Sequence, residues 1–491
     1  MESSPRLHKK ARIESMSGYK SAQTILSKGF DLETYISNYS GFSLISRLEL
    51  LADLCPSIAV QCLTVALKEI KDNTLDTNKY SELGKRLELI NNQKNSLPAN
   101  LPGNIQVFEY DEQWIEETSN SSREKLKTLD SNLNIYKASL IKNSVRIGQI
   151  ELGDMFYKKG DFYLALRSYD KLKECCVNSE QLMEMHSLII KTTIAYGDFD
   201  LAISHCKKVE SSTPLDKNNK VVRLSQFVMA LYAMKKGEYS KASTLFLGLD
   251  YIEDDTFSLL TSNKDIAMYG AICSIASMSR TDIKKNCIDN ANFCQYMDHD
   301  SRVYSMLEDF YYGKYSSCCA LLDKIKSLLL IDVYAHSVVE KLVQTATRNT
   351  ILHYITPRST VNMKKMTEQF NFVSVEKLED VLLEMIVDGE IFGRLDVDEH
   401  YLELENDQPG LPGIKKGVKP SGFVFDPELD YKLDYVDQKI SYIKNLSLNE
   451  SYKTIRNISE ANEIRLMNLS LSSEGFDSQA GKGIDPWITL V

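Results

Sequence analysis

A turn in which a glycine is followed two residues later by an aromatic residue occurs four times in the middle of the chain. Its glycines are Gly160, Gly197, Gly237 and Gly313, and each is followed by apolar residues at helical spacing. The first two intervals are about forty residues and the third is about twice that, a period typical of stacked helix-turn-helix repeats. The pattern predicts a mainly α fold that contains a helical-repeat solenoid.

The first copy shows why each residue type is present. Gly160 can adopt the left-handed conformation that closes the first helix, and Asp161 is expected to cap the second. Ala165 is small enough for two helices to approach closely, while Phe162 and Tyr169 fill the space between them. This spacing resembles the tetratricopeptide consensus, although its tryptophan is missing. The repeats could form a peptide-binding groove or a rod that holds other parts in place, and the drift between copies favours the rod.

Composition narrows the class of protein. The chain has 491 residues and a formal net charge of −10, which disfavours broad nucleic-acid binding because phosphate backbones are also negative. Its ten cysteines include no CxxC pair, so we interpret them as reduced core thiols of a cytosolic or nuclear protein. The N-terminus is basic but has no apolar run typical of a secretory signal, and no apolar stretch is long enough to span a bilayer.

A second module is predicted to begin near Ser337. The sequence predicts a long helix that ends before Pro357, a shorter helix from Ser359, and a third helix that Ser374 caps and Gly389 ends. Two short segments on either side of a turn then predict a β-hairpin. Three helices followed by a hairpin indicate a winged helix.

The charge of this module argues against DNA binding. Residues 340–404 contain seven basic and twelve acidic residues, and the helix in the recognition position has a single lysine among acidic side chains. A recognition helix needs Arg, Lys, Asn or Gln facing the bases. We therefore predict a structural winged helix whose hairpin edge pairs with a neighbour's sheet. This hairpin edge comprises Ile391, Phe392, Gly393, Arg394 and Leu395.

A further helix is predicted after the winged helix. Residues 406–430 are rich in proline and glycine and predict a linker. Beyond it, an apolar stripe recurs at helical spacing and implies a partner helix, either on the repeats or in another chain. The stripe comprises Leu433, Val436, Ile440 and Ile443.

The sequence contains no recognisable catalytic or metal-binding motif. Its seven histidines include no His-x-His and no HExxH, and no P-loop, GxSxG or GxGxxG sequence is found. The triplet Asp298-His299-Asp300 is more typical of a polar turn than of a metal site. These observations predict a protein that is not an enzyme and that needs no cofactor.

Helical repeats that run into a winged helix resemble the layout of the PCI-domain family, which includes scaffold subunits of the proteasome lid, the COP9 signalosome and a translation initiation factor. Several separate stretches, in the same order, are similar to the COP9 signalosome subunit 1 family. They are residues 30–56, 111–162, 262–278 and 308–357. The resemblance therefore covers most of the chain between its two ends.

This resemblance implies a non-catalytic scaffold subunit of the COP9 signalosome, which removes Nedd8 from cullin-RING ubiquitin ligases through a zinc site in a different subunit. It implies contacts with other signalosome subunits through the winged-helix edge and a bundle of C-terminal helices, and with cullin-RING ligases through the complex. Cytoplasm and nucleus are the expected compartments, with neither membrane nor nucleic acid as a partner. The alternatives are a proteasome lid scaffold subunit and an RNA-binding PCI protein.

The predicted organisation has seven segments. They are a disordered N-terminal tail (1–29), an N-terminal helical extension (30–140), the repeats (141–336), the winged helix (337–405), the linker (406–430), a C-terminal bundling helix region (431–470) and a disordered tail (471–491).

Overall fold

The computed structural model describes residues 31–94, 110–212, 220–251, 260–372, 374–397 and 399–404. Within these ranges the chain forms 19 α-helices and three short β-strands, so the fold is mainly α as predicted. The chain divides into two compact units. The first contains the described residues as far as Arg358 together with Lys365–Phe372, and the second contains Ser359–Lys364 and the described residues after Val373.

Five helices precede the pair of helices that the turn at Gly160 connects. They are α1 (Leu32–Ile36), α2 (Gly41–Leu54), α3 (Ala59–Asn73), α4 (Thr77–Lys94) and α5 (Glu112–Ala138). Helices α2 and α3 pack together through fully buried side chains such as Leu48, Leu51 and Leu63. Tyr80 on α4 is also fully buried and lies against the ring of Trp114 on α5, with 4.7 Å between centroids.

The repeats follow as helices that each pack on the next one along the chain. They are α6 (Lys142–Lys158), α7 (Phe162–Asp170), α8 (Ser179–Tyr196), α9 (Phe199–Ser212), α10 (Lys220–Lys236), α11 (Tyr239–Leu247) and α12 (Asn263–Ser277). Gly160, Gly197, Gly237 and Gly313 all have a positive φ, between 76° and 92°. The predicted glycine turns are therefore confirmed in their backbone conformation.

The role predicted for Asp161 is wrong. Asp161 occupies the N-terminal cap position of α7, but its side chain makes no capping hydrogen bond. Its carboxylate instead accepts a hydrogen bond from the ammonium of Lys159, at 2.9 Å. The neighbouring lysine therefore competes successfully with the backbone amides of α7 for this carboxylate.

Five further helices follow α12 along the chain. They are α13 (Arg280–Ile283), α14 (Ala291–Met297), α15 (Ser301–Tyr312), α16 (Tyr315–Leu330) and α17 (Val339–Ile355). Helix α12 packs on α11, α14, α15 and α17, and twelve of its fifteen residues are buried. Because neighbours surround it, α12 needs small and apolar residues on all sides, as the sequence around Gly270 provides.

A buried ion cluster joins the N-terminal helices to the repeats. Arg47 on α2 is completely buried, and its guanidinium donates a hydrogen bond to the carboxylate of Asp332. It also lies 3.6 Å from the carboxylate of Asp265 on α12, which accepts a hydrogen bond from the hydroxyl of Tyr39 at 2.6 Å. Burial favours a higher pKa at both carboxyls, but the adjacent Arg47 outweighs this at Asp332 and lowers its pKa, whereas the pKa of Asp265 is raised.

A second buried polar contact lies between α8 and α9. The Nδ1 atoms of His186 and His205 are 3.0 Å apart, and both side chains are buried. One ring must donate and the other accept, so this contact requires at least one neutral imidazole. Burial lowers the pKa of both histidines, that of His205 to about 4, and the positive charges of Lys208 and Lys173 act in the same direction.

After α17, the second module contains three strands and two helices. They are β1 (Thr360–Asn362), α18 (Met363–Gln369), α19 (Val375–Val387), β2 (Gly393–Asp396) and β3 (Tyr401–Leu404). The prediction of a continuous helix from Ser359 is wrong at its start, because Thr360–Asn362 pair with β3 as a strand. The order α17, β1, α18, α19, β2 and β3, with an antiparallel sheet in the order β1-β3-β2, is that of a winged helix.

Candidate subunit interface

The sheet of the winged helix has one buried face and one exposed face. Leu402 on the central strand β3 lies opposite Val361 on β1 and Leu395 on β2. Val361 and Leu402 are buried, whereas Arg394 and Glu403, which face each other across β2 and β3, are exposed. A one-residue slip would exchange these faces, so burial of Val361 and Leu402 fixes the register.

Backbone hydrogen bonds close both ends of the sheet. The N–H of Leu404 donates to the carbonyl of Ser359 at 2.8 Å, and the N–H of Met363 donates to the carbonyl of His400 at 2.9 Å. His400 lies in the hairpin turn with a φ of 57°. Its Nδ1 lies 3.1 Å from the carboxylate of Glu379, which is a buried side chain on α19. This contact ties the hairpin turn to α19.

The contact between Glu379 and His400 was not predicted from the sequence, where Glu379 is one of the acidic residues that argue against a DNA-recognition helix. Leu378, Leu382 and Met385 are the buried apolar residues of α19, and Ser374 caps the helix as predicted. Glu379 directly follows Leu378 and shares its burial. A histidine in the hairpin turn opposite this helix was the only available signal, and the pairing depends on the fold.

Among the described residues, strand β2 pairs with β3 on one side only and so lies at an edge of the sheet. An edge strand presents a row of backbone groups to which another strand can be added. The strand begins at Gly393, where an added Cβ would lie 2.4 Å from the carbonyl oxygen of Glu403. Glycine is therefore required for the close approach of β2 and β3. The location of the predicted hairpin edge at the rim of a sheet is consistent with an intermolecular role.

The five residues of the predicted hairpin edge have different environments. Gly393, Arg394 and Leu395 belong to β2, while Ile391 and Phe392 precede it. Ile391 is buried and supports the sheet from within. Phe392 is 53% exposed, which leaves a large apolar ring at the start of the edge strand. Phe392 is thus the side chain of this group best placed to contact another protein.

The other predicted interface cannot be compared with the structure. The stripe formed by Leu433, Val436, Ile440 and Ile443 lies outside the described residues, as do the linker and both tails. Its role in a helix bundle stays a prediction.

Two further features bear on the function, namely clusters of metal-binding side chains and helices able to cross a membrane. Nowhere in the described ranges do three or more histidine, cysteine, aspartate or glutamate side chains come together in a way that could hold a metal ion. The predicted polar turn around His299 is confirmed, since the carboxylate of Asp300 caps α15 and pairs with Arg302. No helix in the described part of the chain has the length and apolar character needed to cross a membrane.

The ten cysteines agree with the prediction of core thiols. All ten are free, and seven of them are buried. Burial raises the pKa of Cys62 and of Cys206 to about 12 in each case, which keeps these thiols protonated at neutral pH.

Comparisons with known proteins identify two matching family models. Residues 111–286 match the family described as 26S proteasome subunit RPN7, and residues 317–406 match the PCI domain. The second match contains the whole described winged-helix sheet. The PCI match thus follows the RPN7 match along the chain.

Curated relatives share most of their length with this chain. COP9 signalosome complex subunit 1b of Drosophila melanogaster is 28% identical over 407 residues, which cover 74% of this chain and 77% of the relative. COP9 signalosome complex subunit 1 of Emericella nidulans is 26% identical over 76% of this chain and 75% of the relative. The 26S proteasome non-ATPase regulatory subunit 6 of Dictyostelium discoideum is 21% identical over 55% of this chain and 70% of the relative.

The Drosophila melanogaster and Emericella nidulans relatives thus match more of this chain, at higher identity, than the proteasome subunit does. Residues 317–406 thus match the PCI domain, and the chain is similar, over about three quarters of its length, to COP9 signalosome complex subunit 1.

Proposed function

We propose that this chain is a non-catalytic scaffold subunit of the COP9 signalosome, the complex that removes Nedd8 from cullin-RING ubiquitin ligases. The observation that carries the proposal is the similarity to COP9 signalosome complex subunit 1 over about three quarters of the chain. A scaffold acts through its surfaces, and the winged helix has an edge strand that can extend into a neighbour's sheet. The catalytic metal then belongs to another subunit.

The contacts within the complex are part of the proposal. Strand β2 and Phe392 would pair with the winged helix of a neighbouring subunit, and the stripe from Leu433 to Ile443 would enter a bundle of helices from several chains. Contact with cullin-RING ligases would follow through the assembled complex. A helical scaffold of this kind can act in both the cytoplasm and the nucleus.

A scaffold subunit of the proteasome lid is the second candidate. It is supported by the match of residues 111–286 to the RPN7 family and by the similarity to a proteasome regulatory subunit. It is the weaker candidate because the latter similarity covers less of the chain at lower identity. An RNA-binding role is disfavoured by the exposed side of α19, where Glu376 and Asp380 flank the single lysine, Lys377.

The experiment that tests this proposal is purification of the tagged full-length chain from its native source, with mass determination of every co-purifying chain. We expect a set of signalosome subunits that includes a metalloprotease with a His-x-His motif, and we expect the purified assembly to release Nedd8 from a neddylated cullin. Proteasome lid and ATPase subunits in the same fraction would instead replace the proposal with the lid alternative. Recovery of RNA, retained on a filter at about 50 mM salt, would favour the RNA-binding role.

A further inference from the structure

The connection between α5 and α6 has a leucine where the glycine turns of the repeats have glycine. Leu140 follows the C-terminal cap of α5, Ser139, and its backbone φ is 57°. Helix α6 ends in the same way, with Gly160 after its cap and a φ of 79°. A left-handed backbone is unfavourable for leucine, because its Cβ crowds the following carbonyl oxygen.

The surrounding hairpin holds Leu140 in this conformation. The N–H of Leu140 donates to the carbonyl of Lys137 at 3.3 Å, and the hydroxyl of Ser139 donates to the carbonyl of Tyr136 at 2.8 Å. The ring of Tyr136 in turn packs on Gly148 of α6, where an added Cβ would lie only 3.0 Å from it. A strained residue in a well-packed hairpin suggests that its side chain is needed for a function.

The strained leucine directs its side chain to solvent together with three isoleucines. The exposed fraction is 85% for Leu140, 61% for Ile135, 55% for Ile141 and 44% for Ile147. These four residues lie in the last turn of α5, the connection and the first two turns of α6, and we call them the hairpin tip. Large apolar side chains exposed together in this way are typical of a binding surface.

The hairpin tip is also the centre of a basic stretch in an acidic protein. Residues 131–150 contain three basic residues and no acidic residue, although the whole chain has 68 acidic residues and a net charge of −10. Lys137 and Lys142 are exposed next to the apolar side chains, while Arg146 pairs with Glu184 at 2.6 Å. A partner that complements this surface must combine apolar side chains with negative charge.

We propose that the hairpin tip is a docking surface for a segment of another protein in which apolar side chains are flanked by Asp or Glu. Leu140 makes the central apolar contact, and Lys137 and Lys142 hold the acidic residues at the rim. The exposed leucine then explains why the left-handed position is not occupied by glycine. This inference rests on the hairpin tip alone and does not depend on which complex contains the chain.

The partner segment can be identified by a photoreactive amino acid placed at position 140 of the tagged full-length chain in its native source. After irradiation and purification, we expect one cross-linked peptide that contains apolar residues flanked by Asp or Glu. The same photoreactive residue at position 89 is a matched control, since Leu89 on α4 is 62% exposed and lies outside the hairpin tip. Cross-links only to lipid, only to a second copy, only to a basic segment, or none specific to position 140 would overturn the proposal.

The variant Leu140→Gly then separates binding from folding. Glycine accepts the positive φ of this position, so the purified variant should unfold at the same temperature as the wild type or at a higher one. Its affinity for a synthetic peptide of the cross-linked segment, measured by fluorescence anisotropy, should fall at least about tenfold, as expected for a central contact residue. Unchanged peptide affinity in Leu140→Gly would overturn the proposal.

Charge reversal provides an independent check of the acidic partner. Lys137→Glu combined with Lys142→Glu should weaken peptide binding, and raising the salt concentration should weaken wild-type binding in the same direction. Leu89→Ala should leave the affinity unchanged. Affinity that is insensitive to both the salt concentration and the charge reversal would overturn the charged part of the docking surface. The masses of co-purifying chains test the proposed function separately.

Discussion

The guanidinium of Arg47 donates a hydrogen bond to the carboxylate of Asp332, which lies 285 residues further along the chain. Both side chains are buried, and Asp265 on α12 shares the same guanidinium. Arg47 thus connects α2, in the N-terminal extension, with two separate parts of the repeat region. Removing one member of such a cluster leaves the other charges buried without compensation.

The first prediction concerns this cluster. Arg47→Met should lower the free energy of unfolding by about 3–5 kcal/mol, because Asp332 and Asp265 stay buried without their cation. Urea denaturation followed by circular dichroism measures the change. Arg86→Met is the matched control: its pair with Asp53 is partly exposed, so the loss should be below about 1 kcal/mol. Equal stabilities for the two variants would contradict the importance of burial.

The second prediction concerns the pH dependence of stability. His205 has a folded-state pKa of about 4, below the ordinary value of 6.5, so the unfolded chain binds more protons between these two values. Its contribution is therefore complete above about pH 6.5 and is lost as the pH falls towards 4, with about 2 kcal/mol lost between pH 7 and pH 5. Urea denaturation at both pH values measures this loss.

The matched control for this pH dependence is His205→Gln, which removes the titrating ring. The groups around it are His186 on α8, Asp170 on α7, Lys173 in the following turn and Lys208 on α9. Of these, the two lysines and His186 disfavour the protonated ring, and Asp170 favours it. His205→Gln should lose clearly less stability than the wild type between pH 7 and pH 5. The same loss in both proteins would assign the effect to other groups.

The third prediction concerns the edge strand. Phe392→Ser should reduce recovery of the neighbouring subunits in a tagged purification by at least about tenfold, as expected if this ring is a central contact residue. Because Phe392 is half exposed in the isolated chain, its loss should change the free energy of unfolding by less than about 1 kcal/mol. Tyr163→Ser is the matched control, since Tyr163 is a similarly exposed aromatic residue on α7. Normal recovery with Phe392→Ser would remove this ring from the proposed interface.

The fourth prediction concerns the C-terminal stripe. Ile440→Asp together with Ile443→Asp should prevent the chain from co-purifying with its complex, because buried charges are not tolerated in a helix bundle. The helical content of the variant should stay unchanged. Purification of the tagged variant and far-ultraviolet circular dichroism measure the two effects. Normal co-purification would show that the stripe does not enter the bundle.

Much of the fold could be predicted because local signals mark it. Gly160, Gly197, Gly237 and Gly313 end helices in the left-handed conformation, which few other residues adopt without cost. Ser374 caps α19 as expected from its position before an amphipathic run. These signals act within one or two helical turns, so they are visible in the sequence alone.

The features that could not be predicted depend on distant partners. β1 has only three residues, and Val361 becomes part of a sheet because Leu402 lies opposite it. In the sequence, Arg47 is a single basic residue within an apolar helix. No neighbouring residue identifies Asp332 as its ion-pair partner. The exposed Leu140 looked like an ordinary apolar residue, since its unusual backbone conformation is known only from the structure.

The Arg47 cluster also bears on how the chain is made. Ribosomes extend chains at roughly 5–20 residues per second, so Asp332 is synthesised roughly 15–60 s after Arg47. During that interval α2 can already pack on α3, but the guanidinium of Arg47 lacks the carboxylate of Asp332. The N-terminal extension of the nascent polypeptide is therefore expected to reach its final stability only after the last repeats have left the exit tunnel.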